Sequence, residues 1–196
     1  MCLHSHEIRF FFGGTLFEKF VVQDRFDSFL ELCRRWGCDL VEVSNGTIAM
    51  SNSEKASYIR KCADAFEVAS EVGFKDVQRS EELSPAAWVE SIEEDLDAGA
   101  SLVITEARES GRSGICRSDG QLRDGVMARI LASDFDADRL LFEAPTKELQ
   151  TRFVTTLGPN VNLGNVAPAD VIGLETLRLG LRSDTFLQAE AARSDA

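Results

Sequence analysis

The sequence predicts an α/β protein built on a parallel sheet, with the barrel form of that fold preferred over the open one. Three observations lead there. Short apolar runs alternate with amphipathic helical stretches through the whole chain, giving six strand–helix units with short links, and such alternation implies parallel strands joined by right-handed crossovers. Four of the predicted strands end in a glutamate (Glu42, Glu71, Glu106 and Glu143), spaced 29 to 37 residues apart. A barrel mouth collects residues from several strands in this way. No Gly-x-Gly-x-x-Gly phosphate loop follows any strand, whereas an open doubly wound sheet usually carries one after its first strand. A complete barrel has eight units, so six leaves two unaccounted for.

The first predicted strand spans residues 8–14, Ile-Arg-Phe-Phe-Phe closing in Gly-Gly. Asp24 is placed to cap a helix to Trp36, with Phe26, Phe29, Leu30 and Cys33 inward and Gly37 at its end. The second strand, residues 40–45, carries Glu42, Ser44 and Asn45. Ser51 and Glu54 have the spacing of a capping box, for a helix whose inner face is Ile59, Cys62, Ala63 and Phe66. Residues 68–73 form the third strand, with Glu71 near its end and Lys75 just beyond. Ser84-Pro85 is a cap followed by a first-turn proline, opening a helix with Trp88, Ile92 and Leu96 on one stripe and Gly99 as its stop.

The fourth strand, Leu102–Thr105, runs into Glu106, Arg108 and Glu109. Residues two apart on a strand share a face, so Glu106 and Arg108 are expected on the same side of the sheet. A glycine-punctuated loop leads to a helix at residues 125–133. The fifth strand covers 139–144 with Glu143 near its end, and its helix is Lys147–Leu157, packing through Leu149, Phe153, Val154 and Leu157. The sixth strand, 160–165, holds Asn162, Gly164 and Asn165. A last helix after Pro168 turns Val171, Leu174 and Leu177 inward. Residues 1–185 are read as one domain, with 186–196 as a tail of few anchors.

Composition sets limits on function. The net charge is −12, from 21 basic and 33 acidic residues, and no basic stripe interrupts it, which argues against nucleic acid as a partner. No apolar run reaches the ~20 residues of a membrane span, and the first seven residues lack a signal-peptide pattern. A cytoplasmic protein is expected by default. The five cysteines (Cys2, Cys33, Cys38, Cys62, Cys116) form no Cys-x-x-Cys pair, so reduced thiols are expected rather than a disulfide framework or zinc site. His4 and His6 read as a solvent-exposed segment, not as metal ligands.

Eight segments, in order along nearly the whole chain, resemble the phosphosulfolactate synthases and the related plant heat-stress-associated proteins. They are Gly-Gly-Thr-Leu-Phe-Glu (13–18), Val-Glu-Val-Ser-Asn-Gly (41–46), Glu-Val-Gly-Phe-Lys-Asp (71–76) and Asp-Leu-Asp-Ala-Gly-Ala (95–100). They continue with Glu-Ala-Arg-Glu-Ser-Gly (106–111), Phe-Glu-Ala-Pro-Thr-Lys (142–147), Val-Asn-Leu-Gly-Asn (161–165) and Leu-Glu-Thr-Leu-Arg-Leu-Gly-Leu-Arg-Ser-Asp-Thr (174–185).

The resemblance implies a (β/α)8 TIM-type barrel lacking its first two βα units, with residues 1–7 as the end of the second helix. It implies a lyase that adds sulfite to phosphoenolpyruvate with Mg²⁺, giving (2R)-phospho-3-sulfolactate on the way to coenzyme M. A barrel opened in this way leaves two sheet edges unpaired, so weak activity and low solubility are expected of the shortened chain. The rival expectation is a non-catalytic, stress-associated barrel acting through protein partners, or an inactive fragment. Two positions depart from the family pattern: Phe74 stands where a lysine is usual, and Ala107 where a glycine is common.

The candidate chemistry follows. Attack of sulfite on the methylene carbon sends charge onto the substrate carboxylate, and a divalent cation stabilises such an oxyanion. Glu71, Glu106 and Glu143 are the candidate ligands for Mg²⁺, which takes one or two carboxylates among oxygen donors; structural ion pairs are the competing use for each. Lys75, Arg108 and Glu42 are the catalytic candidates. Lys75 would deliver the proton, its pKa tuned towards neutrality, or else simply pair with Glu71 or Asp76. Arg108 would grip an anion bidentately, or else form a salt bridge to Glu106. Ser44, Asn45, Lys147, Asn162, Gly164 and Asn165 are the candidate substrate and phosphate contacts. Arg178 and Arg182 read as structural, pairing with Glu175, Asp184 or a neighbouring subunit of a homo-oligomer.

Overall fold

The computed structural model describes residues 3–194; Met1 and Cys2, which enter the expectations above, lie outside the described residues. Five strands form one sheet: β1 (Leu40–Val43), β2 (Glu67–Val72), β3 (Leu102–Thr105), β4 (Leu140–Glu143) and β5 (Leu163–Gly164). Every pairing is parallel, and the spatial order is the chain order, β1-β2-β3-β4-β5. Consecutive order with crossovers of one hand carries the connecting helices to one face. The helices are α1 (Gly14–Val22), α2 (Phe26–Trp36), α3 (Asn52–Ala63), α4 (Val77–Glu82), α5 (Pro85–Asp97), α6 (Asp124–Leu131), α7 (Lys147–Leu157), α8 (Val171–Arg178) and α9 (Phe186–Ser194).

The sheet has five strands instead of six because the expected first strand does not form. Phe10 exchanges two hydrogen bonds with Asp39, its N–H donating to the carboxylate and its carbonyl accepting from the Asp39 amide. No ladder continues from there. Gly13 is extended and the chain turns directly into α1, so Thr-Leu-Phe-Glu is helical, with Phe17 and Glu18 buried. The Glu42 carboxylate accepts the N–H of Gly14 at 2.7 Å, satisfying one of the orphan donors of a helix start. Asp24 does not cap α2. It sits in the left-handed region (φ 54°) closing α1, and Arg25 takes the cap position without a side-chain bond.

The other helix signals hold. Ser51 and Glu54 form the full capping box on α3, Ser84 accepts from the Ala87 amide with Pro85 in the first turn of α5, and Gly37 ends α2 at φ 67°. The core joins Phe17, Phe29, Ile59, Trp88, Ile92 and Phe153 against the strands. Ala63 and Val171, expected inside, are exposed; Ala56 and Lys55 fill the inner face of α3. Before α1, residues His4–His6 make a single 3-10 turn. Beyond Thr185 the expected loose tail is α9, anchored by Gln188 on the Thr155 carbonyl. Cys33, Cys38, Cys62 and Cys116 are buried free thiols, and burial pushes Cys33, Cys62 and Cys116 up to about 12. Among the described residues no helix is long and apolar enough to cross a membrane.

Candidate active site

The carboxyl ends of the parallel strands form one rim. Glu42 lies one residue from the end of β1, Glu71 one residue from the end of β2, Glu106 directly after β3, and Glu143 is the last residue of β4. Parallel pairing brings all four to the same side, and all four line a single open cleft of about 410 Å³. That space fits a small phosphorylated acid. Gly13, Gly14, Thr15 and Leu16, where α1 begins, line it as well, together with Lys75, Arg108, Glu109 and Asn165.

Lys75 enters from the loop after β2, and its ammonium lies 3.1 Å from Glu71 and 2.9 Å from Glu106. Glu42 and Glu71 share a hydrogen bond, as do Glu106 and Glu143. Two carboxyl groups in contact hold a proton between them more readily than either does alone. Burial pushes Glu71 well above the usual carboxylate range, with the charges of Glu106 and Glu42 adding to it. Burial likewise raises Glu42. Burial and then the charge of Glu106 raise Glu143 to about 7. Glu106 goes the other way. Burial opposes its ionisation, yet the Lys75 ammonium, with hydrogen bonds from Lys75, Glu143 and the Arg108 amide, holds it below the usual range.

For Lys75 the shift is opposite to the expected tuning. Burial acts to lower it, but Glu71 and Glu106 outweigh burial and hold the ammonium above its ordinary value. Arg108 is not on a strand face with Glu106, because β3 ends at Thr105 and Arg108 is left-handed at φ 58°. Its backbone N–H, not its guanidinium, binds the carboxylates of Glu106 and Glu143. The guanidinium stands half-exposed at the cleft, touching the Lys75 carbonyl at 3.4 Å and Glu109 at 4.0 Å. The salt bridge to Glu106 considered above is not made.

Of the six expected substrate contacts, only Asn165 lines the cleft; it is left-handed at φ 52° and hydrogen-bonded to Glu143. Ser44 is buried and donates to Glu18, and the Asn45 amide is spent on the Met50 carbonyl and on Asn52 at the start of α3. Asn162 points to the opposite rim, donating to the carbonyls of Asp138 and Leu140 where β4 starts. Gly164 is a strand residue packed beside Leu141. Lys147 is exposed in the first turn of α7, outside the cleft. Arg178 is structural, binding the Pro159 and Val161 carbonyls rather than acidic side chains.

The start of α1 and Glu109 are cleft residues that the sequence did not single out. The Gly-Gly pair marked a chain reversal there, but reading the segment as a strand concealed the helix terminus. Among the described residues no three His, Cys, Asp or Glu side chains converge as a metal site; Lys75 stands between Glu71 and Glu106.

Residues 1–184 match the family model for (2R)-phospho-3-sulfolactate synthase (ComA). The chain belongs to this family. It is 54% identical over 184 residues to the phosphosulfolactate synthase of Bacillus subtilis (strain 168), spanning 94% of this chain and 73% of that protein. The phosphosulfolactate synthase of Methanothermobacter thermautotrophicus is 40% identical over 184 residues, covering 93% and 71% of the two chains. That of Methanocaldococcus jannaschii is 40% identical over 181 residues, covering 91% and 72%. The family match takes in the whole rim, from Gly13 to Asn165, and agrees with the eight-segment resemblance.

Proposed function

We propose that the chain is a carbon–sulfur bond-forming lyase that adds sulfite to phosphoenolpyruvate to give (2R)-phospho-3-sulfolactate, the reaction type that opens coenzyme M synthesis. The observation that carries this reading is the rim itself: four strand-end carboxylates, two of them bridged by one ammonium, with a half-exposed guanidinium beside them, inside the matched family region. We also propose that the five-stranded sheet is part of a (β/α)8 barrel wall. The unbroken strand order supports it, since a doubly wound sheet reverses order at its switch point, and so does the gathering of chemistry at the carboxyl ends.

In this reading Arg108 and the N-terminus of α1 hold the anionic ends of phosphoenolpyruvate. A guanidinium grips phosphate or carboxylate through two parallel bonds, and the amides of a helix start attract anions. Sulfite sulfur forms a bond to the methylene carbon as the carbon–carbon double bond opens, and the electron pair moves onto the substrate carboxylate. The Lys75 ammonium faces that charge and then gives a proton to the carbon bearing the phosphate. A carbanion beside a carboxylate is far more basic than an amine, so a raised lysine pKa keeps the proton available without making its transfer uphill. Glu71 and Glu106 fix the ammonium, and Glu42 anchors the start of α1.

Mg²⁺ takes one or two carboxylates plus water and substrate, and Glu143, a rim carboxyl that Lys75 does not pair with, fits that requirement with its neighbour Glu106 better than a set of three does, because Lys75 already engages both Glu71 and Glu106. When bound, the ion supplies stabilisation of the developing carboxylate charge. The test is incubation of the chain with phosphoenolpyruvate, sulfite and Mg²⁺, with product followed by mass spectrometry. Sulfite-dependent formation of phosphosulfolactate, abolished by chelation and restored by Mg²⁺, is expected. No consumption of phosphoenolpyruvate, beside an active Bacillus subtilis relative, would refute the reading.

A further inference from the structure

Behind the rim, and outside the cleft, lies an ion pair withdrawn from solvent. Lys55 on α3 is 1% exposed and Asp95 on α5 is 0% exposed, and the Lys55 ammonium is 2.7 Å from the Asp95 carboxylate. The same ammonium donates to the backbone carbonyl of Glu71 at 3.0 Å. This carbonyl is where the β1 ladder gives out: Val43, the last residue of β1, pairs with Ser70, and Glu71 lies one residue past it. A side chain from α3 therefore supplies a donor to the strand tip that carries the rim carboxylate.

Stability does not explain the pair. Withdrawing two charges from water costs about what their attraction returns, and apolar pairs of similar volume often replace such bridges without loss. The result of the pair is positional. Glu71 accepts from Lys75, four residues on, and Lys75 in turn reaches Glu106; the Lys75 amide donates to the Gly46 carbonyl on the loop after β1. A tip that shifts by a fraction of an ångström moves the ammonium relative to the substrate.

We infer that Lys55 and Asp95 are positioning residues for the reaction: through the Glu71 carbonyl they set the place of the Glu71 carboxylate and of the Lys75 ammonium that it holds. This rests on the lyase reading for its kinetic consequence, but its structural consequence can be read without substrate.

The test is the double variant Lys55→Met/Asp95→Leu, which removes both charges together and keeps the volume. The expected result is a urea midpoint close to the parent's and kcat lowered at least tenfold. The Kd for phosphoenolpyruvate, by calorimetry without sulfite, should change less than threefold. Amide exchange should quicken about tenfold at residues 72–75 while residues 68–70 keep their protection. If the double variant does not fold, Asp95→Asn keeps the packing and loosens only the anchor on α5; it should give the same pattern more weakly. Parent-like kcat and exchange in the folded variant would overturn the inference. So would uniform loss of protection across the sheet, which marks a structural pair only. If the parent shows no turnover with phosphoenolpyruvate and sulfite, the lyase reading fails, and the exchange comparison alone decides the positioning.

Discussion

Replacing Glu143 by glutamine should make the protein more stable above neutral pH while removing its activity. The Glu143 carboxyl is raised to about 7 in the folded chain from an ordinary value of 4.5, by burial and by the charge of Glu106. Between those values the native state keeps a proton that the unfolded chain has released, so stability falls as pH rises. The contribution is fully present below about 4.5 and is lost as pH climbs through about 7. At about 1.4 kcal/mol per pH unit the loss comes to about 3 kcal/mol. Because Glu106 shares the proton, the two titrate as a pair, and about 2 kcal/mol is the working figure. A glutamine carbonyl still accepts the Ala107 and Arg108 amides that Glu143 accepts now, and its NH₂ can donate to Glu106. Urea unfolding of parent and Glu143→Gln, with chelator present, at pH 5, 6, 7 and 8.5 reads this directly. Equal stability at pH 5 and a variant about 2 kcal/mol more stable at pH 8.5 are expected. A variant that is less stable at pH 8.5, or that keeps the parent's pH slope, would refute the assignment of the raised pKa.

Lys75→Met removes the one ammonium that lines the cleft among the described residues. Turnover should fall a hundredfold or more, and stability should fall by about 3 kcal/mol at pH 8, as for a broken buried pair, but by clearly less at pH 5, where Glu71 and Glu106 can take up protons; equal losses at both pH values would contradict this. Arg108→Lys should raise KM for phosphoenolpyruvate roughly tenfold with kcat nearly unchanged, since a point charge replaces a bidentate grip; steady-state kinetics decide it. Gly14→Ala puts a methyl 2.5 Å from the Glu42 carboxylate and 2.6 Å from Ser44, so a loss of about 1–3 kcal/mol is expected for overpacking, seen as a lowered urea midpoint. Asn162→Ala should cost about 1–2 kcal/mol by leaving two strand-start carbonyls without their donor, yet leave kcat and KM within twofold.

The helices were legible where their signals are local. Ser51 with Glu54, and Ser84 with Pro85, act within one turn, so the sequence and the structure agree to the residue on where α3 and α5 begin. α4 escaped notice because Val77–Glu82 carries almost no apolar periodicity; only Asp76, which accepts from the Arg79 amide, announces it. Residues 8–14 show why apolar and aromatic enrichment is a weaker guide to strands than to burial. A strand exists only through a neighbour's backbone groups, and on the β1 side the segment makes a single backbone-to-backbone bond, from the Asp39 amide to the Phe10 carbonyl. β1 ends short of the predicted Asn45 for a related reason. Its polar tip leaves the ladder to make its own side-chain contacts, as Ser44 does with Glu18.

The four glutamates and Lys75 were found because their position along each strand repeats, and a repeat in one dimension becomes a common rim once the strands are parallel. Their protonation was beyond reach. Whether a lysine is tuned down or held up depends on how many carboxylates flank it in space, and Lys75 has two. The same count explains the site's character. With every group ionised, four carboxylates face one ammonium and one half-exposed guanidinium, a rim hostile to two anionic substrates. The fold relieves this by letting Glu42, Glu71 and Glu143 keep protons longer than usual, and a divalent cation would relieve it further by displacing those protons. In the lyase reading proposed above, a proton and a cation would compete for the same oxygens, and the rim would be most stable when it is least prepared to bind metal. Stability yielded at a functional site in this way is the common trade, and here it falls on Glu143, whose neutral replacement should recover the stability and lose the chemistry.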